Sequence, residues 1–230
     1  MPALAAPLRA ALADAPEADL SPEVRDTFLV YSPGWRVLDE TSYRALPTPV
    51  RRALTRARPR ELRPVTWPSD GEALVRERVF AYVAHGVRSS RHLEVEAGTW
   101  ERAADVLPGA RALAGTWADG SGPNCFGTVM AAAGVAGAES VWMFQEPFES
   151  WLSGCASPLR GTARDSEPGT VLVWRDRSGL AQHAAVTIGD GWALSKPSQA
   201  WCSPRLVLTV REAILAARAP GLRLHRSCMS

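Results

Sequence analysis

An α+β fold is what this sequence predicts, and three observations predict it. The first half carries helical patterning broken by prolines. An Ala-rich stretch opened by a cysteine follows near residue 125, and beyond residue 169 the texture changes to short β-rich runs joined by tight turns. Short strands with tight turns imply an antiparallel sheet rather than a parallel one. With 230 residues, 46% of them hydrophobic, the chain can bury one sizeable core, or one domain with an extension.

In chain order, residues 3–15 are rich in Ala and Leu and read as helix. Ser21-Pro22-Glu23 then has the form of an N-cap followed by proline at the first helical position. A basic helix is expected over 49–58, its arginines forming a solvated face. Pro59, Pro64 and Pro68 break the pattern, so residues 60–70 read as a loop. Residues 72–85 place Leu74, Val75, Val79, Phe80 and Val83 at helical spacings. The alternation over 92–96 predicts a short strand with Glu94 and Glu96 on one face, as acid/base partners or as solvated carboxylates. Thr99 is expected to cap a helix running to about residue 114, with Glu101 in its first turn.

After the cysteine helix, residues 141–155 carry Trp142, Phe144, Phe148 and Trp151, which serve as a lid over a groove or as ordinary packing. Strands are expected over 170–174, 183–188, 192–196 and 205–210, and a short helix over 211–218 closed by Pro220-Gly221. No flexible Gly/Ser linker separates the halves, so residues 1–110 read as a helical extension packed on, and narrowing the cleft of, a catalytic domain over 111–230.

Composition excludes several function classes. A net charge of +2 with no block of like charges offers no field for nucleic acid. No apolar run reaches the roughly 18 residues of a membrane span. The first residues lack a basic region followed by an unbroken apolar one, and Asp14, Glu17 and Asp19 argue against a transit peptide, so a cytoplasmic protein is expected. Four cysteines without CxxC spacing allow two disulfides, but reduced thiols fit that compartment better. The four histidines are far apart and form no metal pair, so neither metal nor cofactor is expected.

The chemistry centres on Gly120-Ser121-Gly122-Pro123-Asn124-Cys125-Phe126-Gly127. A loop of Gly and Pro feeds a helix at the cysteine, where unpaired N–H groups and the helix dipole favour a thiolate. Downstream, His183 opens the apolar strand His183-Ala184-Ala185-Val186-Thr187-Ile188, ended by the turn at Asp190-Gly191. A cysteine on a helix start and a histidine on a strand are the two parts of a thiol nucleophile. Each has a plain counterpart: Cys125 as a small buried hydrophobe, His183 as a core histidine. Cys155, Cys202 and Cys228 read as structural or incidental.

Residues 115–210 resemble the NlpC-type family of papain-like cysteine peptidases and amidases. The resemblance is carried by the Gly-rich loop, the cysteine starting an Ala-rich helix, the Pro168-Gly169-Thr170-Val171-Leu172-Val173-Trp174 strand and the hairpin from His183 into Trp192-Ala193-Leu194-Ser195. It implies Cys125 as nucleophile, His183 as its base and Ser195 as the residue that orients the imidazole, with Gln199 or Asn124 as alternatives for that third role. Two departures stand out. The family's usual Asp-Cys-Ser-Gly is Asn124-Cys125-Phe126-Gly127 here, which removes acceptors for a free amino group on the substrate. Ser195 is also shorter than the His, Asn or Gln usual at its position.

Independently of the resemblance, Lys196 is the single lysine among 26 Lys and Arg residues. It is either a ligand for a substrate carboxylate or drift. Trp117 is expected to line the cleft. The reading is a thiol-dependent hydrolase of a small-molecule or peptide amide, working through a thioester. The alternatives are an acyltransferase using the same thioester and a catalytically inactive binding module of the same fold. If the dyad is poised, iodoacetamide near neutral pH labels Cys125 ahead of the other three thiols.

Overall fold

The computed structural model describes residues 38–57 and 88–229. Expectations for residues 3–15, 21–23, 60–70 and 72–85 lie outside the described residues. The chain divides into two compact units, Met1–Val87 and Arg88–Ser230.

In the first unit, α1 (Glu40–Ala45) is capped by Asp39, whose carboxylate accepts from the Ser42 amide at 2.7 Å. The basic helix expected over 49–58 is α2 (Thr48–Ala57). Leu46 and Val50 are buried, and the helix carries Arg51, Arg52 and Arg56.

The second unit is a mixed α and β structure built on one antiparallel sheet. Its helices are α3 (Ala97–Ala104), α4 (Ala110–Leu113), α5 (Cys125–Ala132), α6 (Gln145–Cys155) and α7 (Val210–Ala216). Its strands are β1 (Ala156–Leu159), β2 (Pro168–Arg175), β3 (Ala181–Gly189), β4 (Trp192–Ser195), β5 (Leu206–Thr209) and β6 (Arg223–Met229), in the spatial order β1-β6-β2-β3-β4-β5. Every neighbouring pair is antiparallel.

The central strands are apolar on both faces because both faces are covered. On one, Val171, Val173, Ala184, Val186, Ile188, Leu194 and Val207 share a core with Trp100, Val129, Phe148 and Leu152. On the other, Leu172, Trp174, Ala185, Ala193, Leu206 and Leu208 pack with Val210 and Ala213 of α7. A capping box closes the start of α7: Thr209 and Glu212 exchange side-chain-to-backbone bonds. All eight residues of α5 are buried, which explains its composition of small and apolar residues.

Three expectations are corrected. The strand expected at 92–96 is a 3-10 turn over His92–Glu94, with Glu94 paired to Arg91 rather than to Glu96. His92 turns back to Ser90, and its ring lies against Gly115, so local turn bonds replace a ladder. The helix expected from Thr99 to 114 is two, α3 and α4, interrupted before Pro108-Gly109, where the Gly109 amide bonds the Ala132 carbonyl at the end of α5. Thr99 is no cap. It lies inside α3 and its hydroxyl donates to Asp190 at 2.5 Å, tying α3 to the β3–β4 turn together with an Arg102–Asp190 ion pair. Two strands were also not anticipated: β1, and β6, which lies inside the sheet between β1 and β2.

Candidate active site

The nucleophile candidate stands where the sequence places it. Cys125 is the first residue of α5, and Asn124 is the N-cap, in extended conformation. The Asn124 carboxamide oxygen accepts from the Gly127 amide at 3.1 Å, which satisfies one of the free donors of the helix start. Its Nδ2 donates to the Met143 carbonyl at 2.7 Å. Both ends of Asn124 are therefore engaged in holding α5 and the 141–144 segment together, and neither turns to an imidazole. A Cβ at Gly127 would run into the carbonyl of Ala138, so glycine is needed there for the 138–141 segment to cross the start of the helix.

Phe126, the residue that departs from the family pattern, stacks on Phe148 with ring centroids 4.5 Å apart, and Phe148 meets Trp151 at 5.8 Å. The two readings of the aromatic segment thus each hold for different residues. Phe148 and Trp151 pack into the core, while Trp142 and Phe144 are 50% and 64% exposed.

His183 lies near the start of β3. Its Nε2 is 3.3 Å from the Ser195 hydroxyl, and its ring lies 5.2 Å from that of Trp174, the cross-strand neighbour on β2. Ser195 pairs with Ala185 across β3–β4, so it sits diagonal to His183. The third-residue position is occupied by Ser195, as the spacing implied, and the hydroxyl accepts from or donates to the ring according to tautomer.

The Cys125 sulfur sits against the residue after His183: it hydrogen-bonds with the backbone of Ala184, and with the backbone of Phe126 and of Cys125 itself. Ala184 enters the core shared with α5, whereas His183 leans toward Trp174. Thiol and imidazole therefore reach the same end of the sheet from different sides of the β3 backbone. Among the described residues, no hydrogen bond joins them.

Electrostatics correct one expectation. Burial pushes the Cys125 thiol up to about 11, outweighing the backbone hydrogen bonds and the Lys196 charge that pull the other way. Burial also pulls His183 down to about 4. At neutral pH both groups are uncharged. The helix start was expected to favour a thiolate; desolvation of a nearly closed site reverses that preference in the free protein.

Lys196 is fully buried. Its ammonium donates to the carbonyls of Ser198 at 2.7 Å, Ala200 at 3.0 Å and Ser203 at 2.9 Å. Three bonds are what an ammonium can donate, so its charge is spent on folding the 196–203 loop. That loop docks on the nucleophile loop: the Gly122 amide bonds the Gln199 carbonyl at 3.0 Å, and the Trp201 amide bonds the Ser121 hydroxyl at 3.2 Å. Gln199 enters the site through its backbone, and Trp117 lies on the neighbouring loop, half exposed.

Arg205 was not singled out from the sequence. It is buried and clamps the loops around α5, donating to Thr116 Oγ1 at 3.0 Å, to the Trp117 carbonyl at 3.1 Å and to the Glu139 carbonyl at 2.6 Å. Its only sequence signal is a charged residue at the mouth of an apolar strand, which elsewhere marks a solvated end. Trp174 was also missed, because which strand face a residue meets depends on pairing register. The four cysteines are free thiols, and among the described residues no three His, Cys, Asp or Glu side chains converge on a metal site. Among the described residues no helix is long and apolar enough to cross a membrane. No family model, curated protein or solved structure matches this chain.

Proposed function

We propose that the 88–230 unit is a thiol-dependent hydrolase of an amide or peptide bond, with an NlpC-like arrangement of Cys125, His183 and Ser195. One observation carries the reading. A cysteine at the start of a buried helix has its sulfur against the backbone of the residue next to a histidine, and that histidine is already paired with a hydroxyl.

With Nε2 paired to Ser195 and carrying its proton, Nδ1 is the nitrogen that serves the thiol. Because both groups rest uncharged, proton transfer accompanies attack instead of preceding it. The sulfur forms a bond to the substrate carbonyl carbon as Nδ1 takes the thiol proton. The backbone N–H of Cys125 and a second donor from the adjoining loop hold the developing oxyanion. The carbon–nitrogen bond then breaks, the amine leaves with the proton from His183, and water hydrolyses the thioester with His183 again as base.

A second reading, an inactive binding module of the same fold, draws on the missing hydrogen bond between thiol and ring. Incubation of the full chain with 4-nitrophenyl esters, followed by intact-mass and peptide mapping, separates the two. Catalysis requires an acyl adduct on Cys125 that turns over. Cys125→Ala should abolish the adduct, and His183→Ala should slow acylation by about 10²–10⁴-fold, the usual contribution of a general base. No adduct, or one on another cysteine, supports the binding module. Product analysis with added amine distinguishes hydrolysis from acyl transfer.

A further inference from the structure

The geometry points to an aromatic rim at the mouth of the Cys125 site, formed by Trp117, Trp142 and Phe144, that selects a neutral apolar acyl group. This rests on the thiol-acyl reading above and names the substrate class it implies.

Trp117, Trp142 and Phe144 are 48%, 50% and 64% exposed, with Val141 beside them at 48%. Large apolar side chains lying singly on a surface need no explanation, but these fall on the two segments that bound the nucleophile. Asn124 grips the Met143 carbonyl at 2.7 Å, which fixes Trp142 and Phe144 on either side of a residue bonded to the nucleophile's own cap. The Arg205 guanidinium takes both the Trp117 and the Glu139 carbonyls, which brings the Trp117 loop beside the start of the 139–144 segment.

The rings are therefore held by backbone bonds at one edge of a closed site, and their exposure comes from where their backbone is anchored. Phe148 and Trp151, from the same aromatic run, are absorbed into packing, so the exposed pair is not a consequence of composition alone.

Charge argues for a neutral occupant. Asp119 and Glu139 are the carboxylates that act on Arg205, so they offset a buried cation already present instead of standing ready for a substrate ammonium. The Lys196 ammonium is likewise committed to three carbonyls, leaving it unsuited to a substrate carboxylate. Aromatic faces without a disposable charge favour an apolar or aromatic acyl chain.

The test compares 4-nitrophenyl phenylacetate, hexanoate, acetate and monosuccinate on the full chain, with Trp142→Ala/Phe144→Ala and Trp117→Ala variants. The phenylacetate-to-acetate ratio of kcat/KM should be about tenfold or more in the parent and approach unity in the variants, with acetate turnover unchanged within about twofold. Variants that keep the parent ratio, or a parent that prefers the succinate, overturn the proposal. A separate arm isolates it from the catalytic reading. Phenylacetamide binding to Cys125→Ala, followed by calorimetry, should weaken by about tenfold on adding the Trp142 and Phe144 changes. Binding that is lost with the rim while no variant turns over ester sustains the rim and removes the enzyme. Binding that ignores the rim removes the rim.

Discussion

A thiol held at about 11 makes a sharp prediction about alkylation of Cys125 in the free protein. At pH 7 the thiolate fraction of such a group is about 10⁻⁴, against about 10⁻² for a thiol at the reference value of 9.0, so Cys125 should react about a hundredfold more slowly from ionisation alone. Its burial slows access further. The rate should climb tenfold per pH unit from 7 to 10, with no plateau near neutrality. Cys202, only partly buried, should be labelled ahead of it at pH 7. The assay is a time course of iodoacetamide labelling on the full chain at pH 6 to 10, with peptide mapping of all four cysteines. His183→Ala should leave this resting profile unchanged, because no hydrogen bond joins ring and thiol, while still slowing acylation by ester. Cys125 labelled first at pH 7, or a rate flat between pH 6 and 8, would refute the reasoning and show a thiolate–imidazolium pair already formed.

Two further outcomes follow from buried titratable groups. The folded-state value of His183 is depressed from 6.5 to about 4, so its unprotonated form is favoured by folding. That contribution is intact above pH 6.5 and lost as pH falls toward 4, up to about 3 kcal/mol. Denaturant titrations of the parent should show that loss and those of His183→Ala should show less of it; equal acid sensitivity in both would assign the loss elsewhere. For Lys196→Met, three carbonyls of the 196–203 loop lose their donor, and stability should drop by about 2–4 kcal/mol, with faster amide exchange over 197–203. Lys196→Arg should not rescue it, since a planar fork does not meet three converging carbonyls. A Met variant within about 0.5 kcal/mol of the parent would show that the loop holds itself.

Much of the scaffold was legible because it is local. The N-cap Asn124 before an apolar Ala-rich run marks a helix start, and the helix begins at the next residue. The hairpin from His183 to Ser195 was readable from its Gly189-Asp190-Gly191 turn, at which Asp190 adopts the positive φ of 50°. The sequence spacing also brought Ser195 to the imidazole, since two residues across a tight antiparallel turn meet at a separation set by the turn.

Strand β6 was not legible, because Arg223-Leu224-His225-Arg226-Ser227-Cys228-Met229 lacks β-branched residues and owes its state to two neighbours, β1 and β2. The break between α3 and α4 was equally hidden, being decided by the Gly109 amide reaching Ala132 in another helix. Sequence by itself determined the identity and order of the chemical groups: a thiol at a helix start, an imidazole on a strand, a hydroxyl one turn later, a single lysine. Only the tertiary structure decided their charge states and allegiances. The same helix start that favours a thiolate in water is sealed by eight buried residues, so desolvation prevails, and the lone ammonium is spent on three carbonyls. Burial and partners across the chain are properties of packing, and no local spacing encodes them.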